Sequence, residues 1–321
     1  LKGAFFVDTP ASGSSHAKII LIGEHSVVYH QPAIALPLPA VRENVTLTFR
    51  ADGVQQLVSR YYTGVRQAGP KQLTGINHLI DELLKRFNAA DIGFDLAINS
   101  HLPAERGMGS SAATAVAIIR ALYQFLEQPL SHEQLLADAN ISEIIIHGNP
   151  SGIDVATASA ENPIWFVAGT QPVTIPFYMH GYLVVADSGI HGQTGLAVKA
   201  VAQLRESDPQ LADQAIKGLG QLTYAAKTAL ANDRLSDLGT VFDRAQVQLK
   251  RLGVSHERLD EMIAIARENG ALGAKLTGGG MGGCMICLAA NESTATRIRL
   301  ALANYGVAQS WVQPLKSEET K

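Results

Sequence analysis

Pro103-Ala104-Glu105-Arg106-Gly107-Met108-Gly109-Ser110-Ser111-Ala112-Ala113 leads directly into an Ala/Ile/Leu run that reads as a helix over 112–127. Glycines let a backbone approach an anion closely, and a helix start offers unpaired N–H groups with a partial positive charge. Ser110 and Ser111 are residue types that cap a helix, donate to phosphate or bind a metal. Taken alone, the segment leaves two readings open: a phosphate cradle, or a serine-capped helix after a glycine turn. It is not a Walker A loop, because the Gly-Lys-Ser/Thr ending is missing. A degenerate Gly-x-Gly-x-x-Ala dinucleotide pattern is satisfied. The strand candidate at 94–98, however, ends well before Gly107, and no acidic residue closes a second strand about 20 residues on.

Three further stretches bear on the same chemistry. Upstream, Lys18 sits inside an apolar run, followed by Gly23-Glu24-His25-Ser26-Val27-Val28-Tyr29. A buried lysine needs a partner, and Asp154 and Glu24 are the candidates; a strand-edge lysine facing water is the alternative. Downstream, Glu143 precedes the turn His147-Gly148-Asn149-Pro150-Ser151-Gly152-Ile153-Asp154. The turn can bring two carboxylates together, one to hold Mg²⁺ through oxygen and one to orient or deprotonate a hydroxyl. A solvent-facing Glu and an N-cap Asp remain the alternative, and an Asp at a helix start is expected to stay ionised. Near the C-terminus, Lys275-Leu276-Thr277-Gly278-Gly279-Gly280-Met281-Gly282-Gly283-Cys284 places five glycines in six residues. So dense a cluster is entropically costly, and it suits a backbone that curls around phosphate or an oxyanion. Apolar strand residues follow at once, which argues against a linker.

The rest of the chain sets limits. Its 321 residues suggest about two domains. Hydrophobic residues at 46% and charged ones at 17% describe a globular chain. A net charge of -3, from 26 Lys+Arg against 29 Asp+Glu, excludes a general nucleic-acid or anionic-membrane binder. No apolar run approaches a membrane span, and Leu1–Pro10 lacks the core of a signal peptide. Two cysteines exclude a disulfide scaffold and fit a reducing, cytoplasmic compartment. Cys284 and Cys287 point to opposite faces of a strand, so buried apolar thiols are expected there rather than a metal or redox pair. Strands are expected at 17–22, 33–36, 45–49, 94–98, 182–186, 284–288 and 309–312. Helices are expected at 73–88, 112–127, from a Ser131 cap to about 146, near 152, and at 194–206, 211–231, 234–252, 256–269 and 294–304. The Gly/Pro-rich stretch near 170–181 suggests a boundary between 1–176 and 177–321. The pattern is α+β.

These four stretches, in this order, resemble the GHMP kinase superfamily, and within it the mevalonate kinase family, over residues 16 to about 313. Galactokinases carry Thr-Asp-Tyr-Asn after Gly-Glu-His, where this chain has Ser26-Val27-Val28-Tyr29. The resemblance implies a ribosomal protein S5 domain 2-like N-terminal domain and a ferredoxin-like C-terminal domain. It implies phosphorylation of mevalonate by ATP with Mg²⁺; phosphomevalonate is the rival substrate, and a homodimer stays open. By resemblance, Pro103, Gly107, Met108, Gly109, Ser110, Ser111, Ala112 and Thr194 would contact the nucleotide. Glu143 and a serine of the Ser110-Ser111 pair would hold Mg²⁺, and Asp154 would be the base with Lys18 beside it. Glu24, His25, Lys18, Asp154, Thr277 and Gly278 would face the substrate, and Gly278–Gly283 would line the cleft. The chain departs from the family pattern at His30, where Gly is common, at Glu105-Arg106, which replaces a small pair, and at Met108, which replaces Leu. Arg106 either adds a phosphate contact or faces solvent.

Overall fold

The computed structural model describes residues 9–100, 102, 106–148 and 151–315. Of the motif residues, Pro103, Ala104, Glu105, Asn149 and Pro150 lie outside the described residues. Contacts divide the chain into two compact units. The first comprises 1–17, 41–102 and 109–159, and the second 18–40, 103–108 and 160–321.

The long strands β1 (Ala11–Ile22) and β2 (Ala33–Arg50) pair with each other and run from one unit into the other. In the first unit follow β3 (Gln55–Val58), β4 (Thr63–Val65), α1 (Thr74–Arg86), β5 (Gly93–Ser100), α2 (Ser110–Phe125), α3 (His132–His147) and α4 (Ile153–Ser159). Residues 43–50 of β2 pair antiparallel with β5, which pairs parallel with β3, and β4 closes that edge. Ile76, Leu79, Ile80, Leu83 and Leu84 bury one face of α1, as their helical spacing requires. Helix α2 is apolar on nearly every side and buries Val116, Ile119 and Leu122 completely. Each such side chain contributes about 1.5–3 kcal/mol. Ser131 caps α3 as expected, its side chain accepting from the Gln134 amide at 3.1 Å.

The second unit continues with β6 (Ile164–Phe166), β7 (Val173–Thr174), β8 (Tyr182–Asp187), α5 (Thr194–Ser207), α6 (Pro209–Ala231), α7 (Leu235–Arg251), α8 (Glu257–Glu268), β9 (Gly273–Thr277), β10 (Cys284–Ala289), α9 (Glu292–Tyr305) and β11 (Gln309–Pro314). Residues 33–35 of β2 pair with β6, and β6 pairs with β7. The last four strands form an antiparallel sheet in the order β11-β8-β10-β9. With helices after β8 and after β10, this is the β-α-β-β-α-β arrangement of a ferredoxin-like sheet. Leu183, Val184, Val185, Leu276, Met285, Ile286 and Leu288 fill its core. Cys284 and Cys287 are free and fully buried on β10. Burial raises both thiols, Cys287 to about 12, so neither is a nucleophile near neutral pH.

The structure adds strands at 55–58, 63–65, 164–166, 173–174 and 273–277 that the sequence pattern does not signal. All are five residues or shorter and take their order from neighbouring strands rather than from periodicity. The turn after β1 also differs from a simple strand–turn–strand. Ser26–Tyr29 form one 3-10 turn, flanked by His25 and His30, both at φ 59°. His30 thus adopts the left-handed conformation that a glycine adopts more readily.

Candidate active site

In the first unit, Gly109 stands as the N-cap of α2 at φ 72°, a conformation that favours glycine, and no side chain caps the helix. The serine-capped alternative is therefore corrected, because Ser110 and Ser111 are already the first two helical residues. The amides of Ser110, Ser111 and Ala112 fall in the first turn, where a helix has no internal acceptors for them. The Ser111 hydroxyl donates to Glu143 Oε1 at 2.8 Å, and Glu143 is buried on α3. Two segments 32 residues apart thus bring a hydroxyl and a carboxylate into contact. This all-oxygen pair suits a hard divalent ion such as Mg²⁺. Among the described residues no group of three or more His, Cys, Asp or Glu could hold a metal, so such an ion would draw on phosphate and water as well. Asp154 lies in the first turn of α4, behind an Ile153 amide that donates to Ser151 Oγ at 3.4 Å. It is the second helical residue rather than an N-cap.

In the second unit, Lys18 is 5% exposed within β1, so a lysine facing water is excluded. Its amide donates to Met108 O at 2.9 Å, which ties the Lys18 stretch to the Gly107-Met108-Gly109 turn. Glu24 is not paired as the sequence suggests. Its carboxylate makes a short buried ion pair with Lys275 on β9 and accepts from the Gly278 amide. Lys275 Nζ also donates to Leu276 O at 2.7 Å and lies 5.8 Å from the Phe242 ring centroid. Burial pushes the Glu24 carboxyl up and the Lys275 ammonium down, and each partner's charge opposes the shift in the other. Glu24 Oε2 is buried without a hydrogen bond among the described residues. Lys275 heads the glycine motif in the sequence, yet spacing alone assigns it no role. A lysine amid strand residues ahead of a glycine run is the only signal.

His25 reaches the same loop. Its Nε2 lies 2.9 Å from Gly279 O, and a carbonyl only accepts, so Nε2 carries the proton. Burial holds its pKa below the usual imidazole value, keeping the ring neutral. The Thr277 hydroxyl donates to Ile20 O at 2.7 Å. The glycine loop is docked on its other side by the Met281 amide to Val254 O and the Gly283 amide to Ile190 O, both 2.8 Å. A Cβ at Gly280 would lie 2.1 Å from Val254 O, so only glycine fits there. The loop amides are thus partly spent on the protein itself.

A cavity of about 300 Å³ opens in this unit, with Arg106, Gly107, Thr194, Thr277 and the glycines of the loop on its wall. It brings together Gly107, Thr194 and Thr277, which come from three distant parts of the sequence. Arg106 does not face solvent. Its Nε lies 3.1 Å from Asp187 Oδ2, and its side chain is 14% exposed. Asp187 is a residue the sequence pattern does not single out.

Residues 75–161 match the model of the GHMP kinases N-terminal domain and residues 226–308 that of the GHMP kinases C-terminal domain. A mevalonate kinase of Pyrococcus furiosus is 31% identical over 334 residues, spanning 95% of this chain and 98% of its own. The structure of mevalonate kinase from methicillin-resistant Staphylococcus aureus is 32% identical with a TM-score of 0.75, covering 96% of this chain and 99% of that one. That of L. major mevalonate kinase in complex with R-mevalonate is 26% identical with a TM-score of 0.84, covering 99% and 100%. With its motifs in family order, both domain models matched and relatives aligned along nearly its whole length, the chain belongs to the GHMP kinases and, within them, to the mevalonate kinase family.

Proposed function

We propose that the chain transfers the γ-phosphoryl group of ATP to the 5-hydroxyl of mevalonate, giving 5-phosphomevalonate and ADP in the mevalonate pathway of isoprenoid biosynthesis. Membership of the mevalonate kinase family carries this reading. The glycine-lined cavity with Gly107 and Thr194 on its wall supports it. Phosphoryl transfer passes through a loose transition state, so the protein contributes mainly position and charge. Asp154 accepts the proton of the attacking hydroxyl. Lys18 keeps that carboxylate ionised and stabilises negative charge as the phosphoryl group moves. The first-turn amides of α2 and the loop around Gly107 hold the phosphates, and Thr194 contacts the nucleotide. Ser111 or Ser110 with Glu143 would hold Mg²⁺, which neutralises phosphate charge when bound. His25, Glu24, Thr277 and Gly278 form the substrate side, with 1–176 and 177–321 acting as the two functional domains.

A coupled assay of ADP release tests the reading. Wild type is expected to release ADP with mevalonate and not with phosphomevalonate. Asp154→Asn is expected to lower kcat by about 100-fold or more while nucleotide still binds. An active Asp154→Asn overturns the base assignment, and ADP release that depends on phosphomevalonate alone overturns the substrate.

A further inference from the structure

Arg106 has a donor that the protein does not use. Asp187 Oδ2 takes the Nε edge of its guanidinium at 3.1 Å, and Gly189 O lies 3.4 Å from Nη2. Asp187 is itself fixed, buried at the end of β8 with Oδ1 accepting from the Gly189 amide at 2.9 Å. Nη1, by contrast, is buried without a hydrogen-bond partner among the described residues. A buried charged donor left unmade is costly, and native proteins rarely leave one without a reason. Among the described residues, Arg106 is also the one charged residue on the wall of the cavity that Gly107, Thr194 and the glycine loop share. The Thr277 hydroxyl there is spent on Ile20 O, so among the described lining residues Arg106 and Thr194 are the side chains with donors still to offer.

We infer that Arg106 is a phosphate ligand for the terminal phosphates of the nucleotide, clamped in advance by Asp187; this rests on the kinase reading above. Asp187 balances the charge of Arg106 at long range but occupies only one edge of the guanidinium. The planar fork can then present its other edge to a phosphate oxygen. Because the side chain is ordered before the nucleotide arrives, little conformational entropy is lost on binding. The arginine replaces a small residue of the family pattern, so this contact belongs to the chain's own departure from that pattern.

Calorimetric titration of wild type, Arg106→Met and Arg106→Lys with AMP, ADP and a non-hydrolysable ATP analogue tests the assignment, alongside steady-state kinetics with mevalonate. Arg106→Met is expected to weaken the ATP analogue by about 10- to 100-fold. AMP affinity and the KM for mevalonate are expected to stay within about twofold, because neither involves the terminal phosphates. Arg106→Lys is expected to fall between the two, keeping the charge and losing the fork. An unchanged ATP constant, or equal weakening of AMP and ATP, overturns the assignment in favour of a structural arginine. Should Arg106→Met fail to fold, the AMP-to-ATP affinity ratio of Arg106→Lys decides, and a wild-type ratio overturns it. A wild type that binds ATP without acting on mevalonate sinks the substrate reading and leaves Arg106 assigned. A wild type that binds no ATP overturns both.

Discussion

Replacing Lys275 by methionine would leave the Glu24 carboxylate buried with no cation. The relevant environment is explicit: Lys275 is fully buried, Glu24 is 3% exposed, and Glu24 Oε2 already lacks a partner. Among the described residues, the Gly278 amide and the turn's own backbone would still serve the carboxylate. Removing one partner of such a pair costs about 3–5 kcal/mol. At about 2–4 °C per kcal/mol for a domain of this size, that is a loss of roughly 6–20 °C in Tm. The cost is expected to depend on pH. Burial holds the Glu24 carboxyl above its ordinary value, and Lys275 is the cation among the described residues that opposes that shift. From about pH 4.3 up to that raised folded value, the folded variant keeps a proton that the unfolded chain releases. Its stability therefore falls by up to about 1.4 kcal/mol per unit as pH rises through that window. Urea melts of wild type and Lys275→Met from pH 5 to 8 should show the gap widening with pH. Glu24→Gln combined with Lys275→Met should recover much of the loss, since the unpaired charge is gone. A gap below about 1 kcal/mol at pH 8, a gap that does not change with pH, or a double variant as unstable as the single one would refute the reasoning.

Glu143→Gln removes the carboxylate that accepts from Ser111. The Mg²⁺ titration of activity should move to higher concentration by about tenfold or more, and an unchanged midpoint would count against the metal role. Gly280→Ala puts a Cβ 2.1 Å from Val254 O at φ 73° and should cost about 1–3 kcal/mol. Thermal melting checks it, and a wild-type Tm contradicts it. His25 is held neutral by burial, so its folded pKa lies below the unfolded value of about 6.5. Its share of stability is present above that value and is lost as pH falls below it, and His25→Asn should flatten this part of the profile. Equal slopes for wild type and variant between pH 5 and 7 would exclude it.

The elements that carry strong local signals were legible in the chain itself. Helix α1 shows its apolar stripe at Ile76, Leu79, Ile80 and Leu83, and α3 announces its start at Ser131 with Gln134 three residues on. Strands β8 and β10 are near-continuous apolar runs. The short strands β3, β4, β6, β7 and β9 are too short to show a period: β3 and β6 are ordered by the distant strands β5 and β2, and β4, β7 and β9 by hairpin pairing with β3, β6 and β10. Among site residues, Gly107 and the 278–283 glycines announce themselves by composition, because a backbone that must bend tightly can tolerate little else, whereas Thr194 is marked only by the family resemblance.

By itself the sequence determined which residues could handle phosphate, and the family to which their order belongs, because motif chemistry is local to a few residues. It could not determine which charges meet. Glu24 and Lys275 are 251 positions apart, and in the sequence Glu24 and Asp154 are the partners to weigh for Lys18, with nothing that pairs Glu24 with Lys275. Only the packing of α7 against β9, at the edge of the sheet, sets Lys275 in the buried interior, where its charge demands Glu24. The same holds for Arg106, which in the sequence either met phosphate or faced water. The fold sets Asp187 at the end of β8 against one edge of its guanidinium and leaves Nη1 buried without a hydrogen-bond partner among the described residues, on a side chain that lines the cavity. Burial is a property of packing rather than of sequence, and in a medium of low polarity it decides which charges must pair.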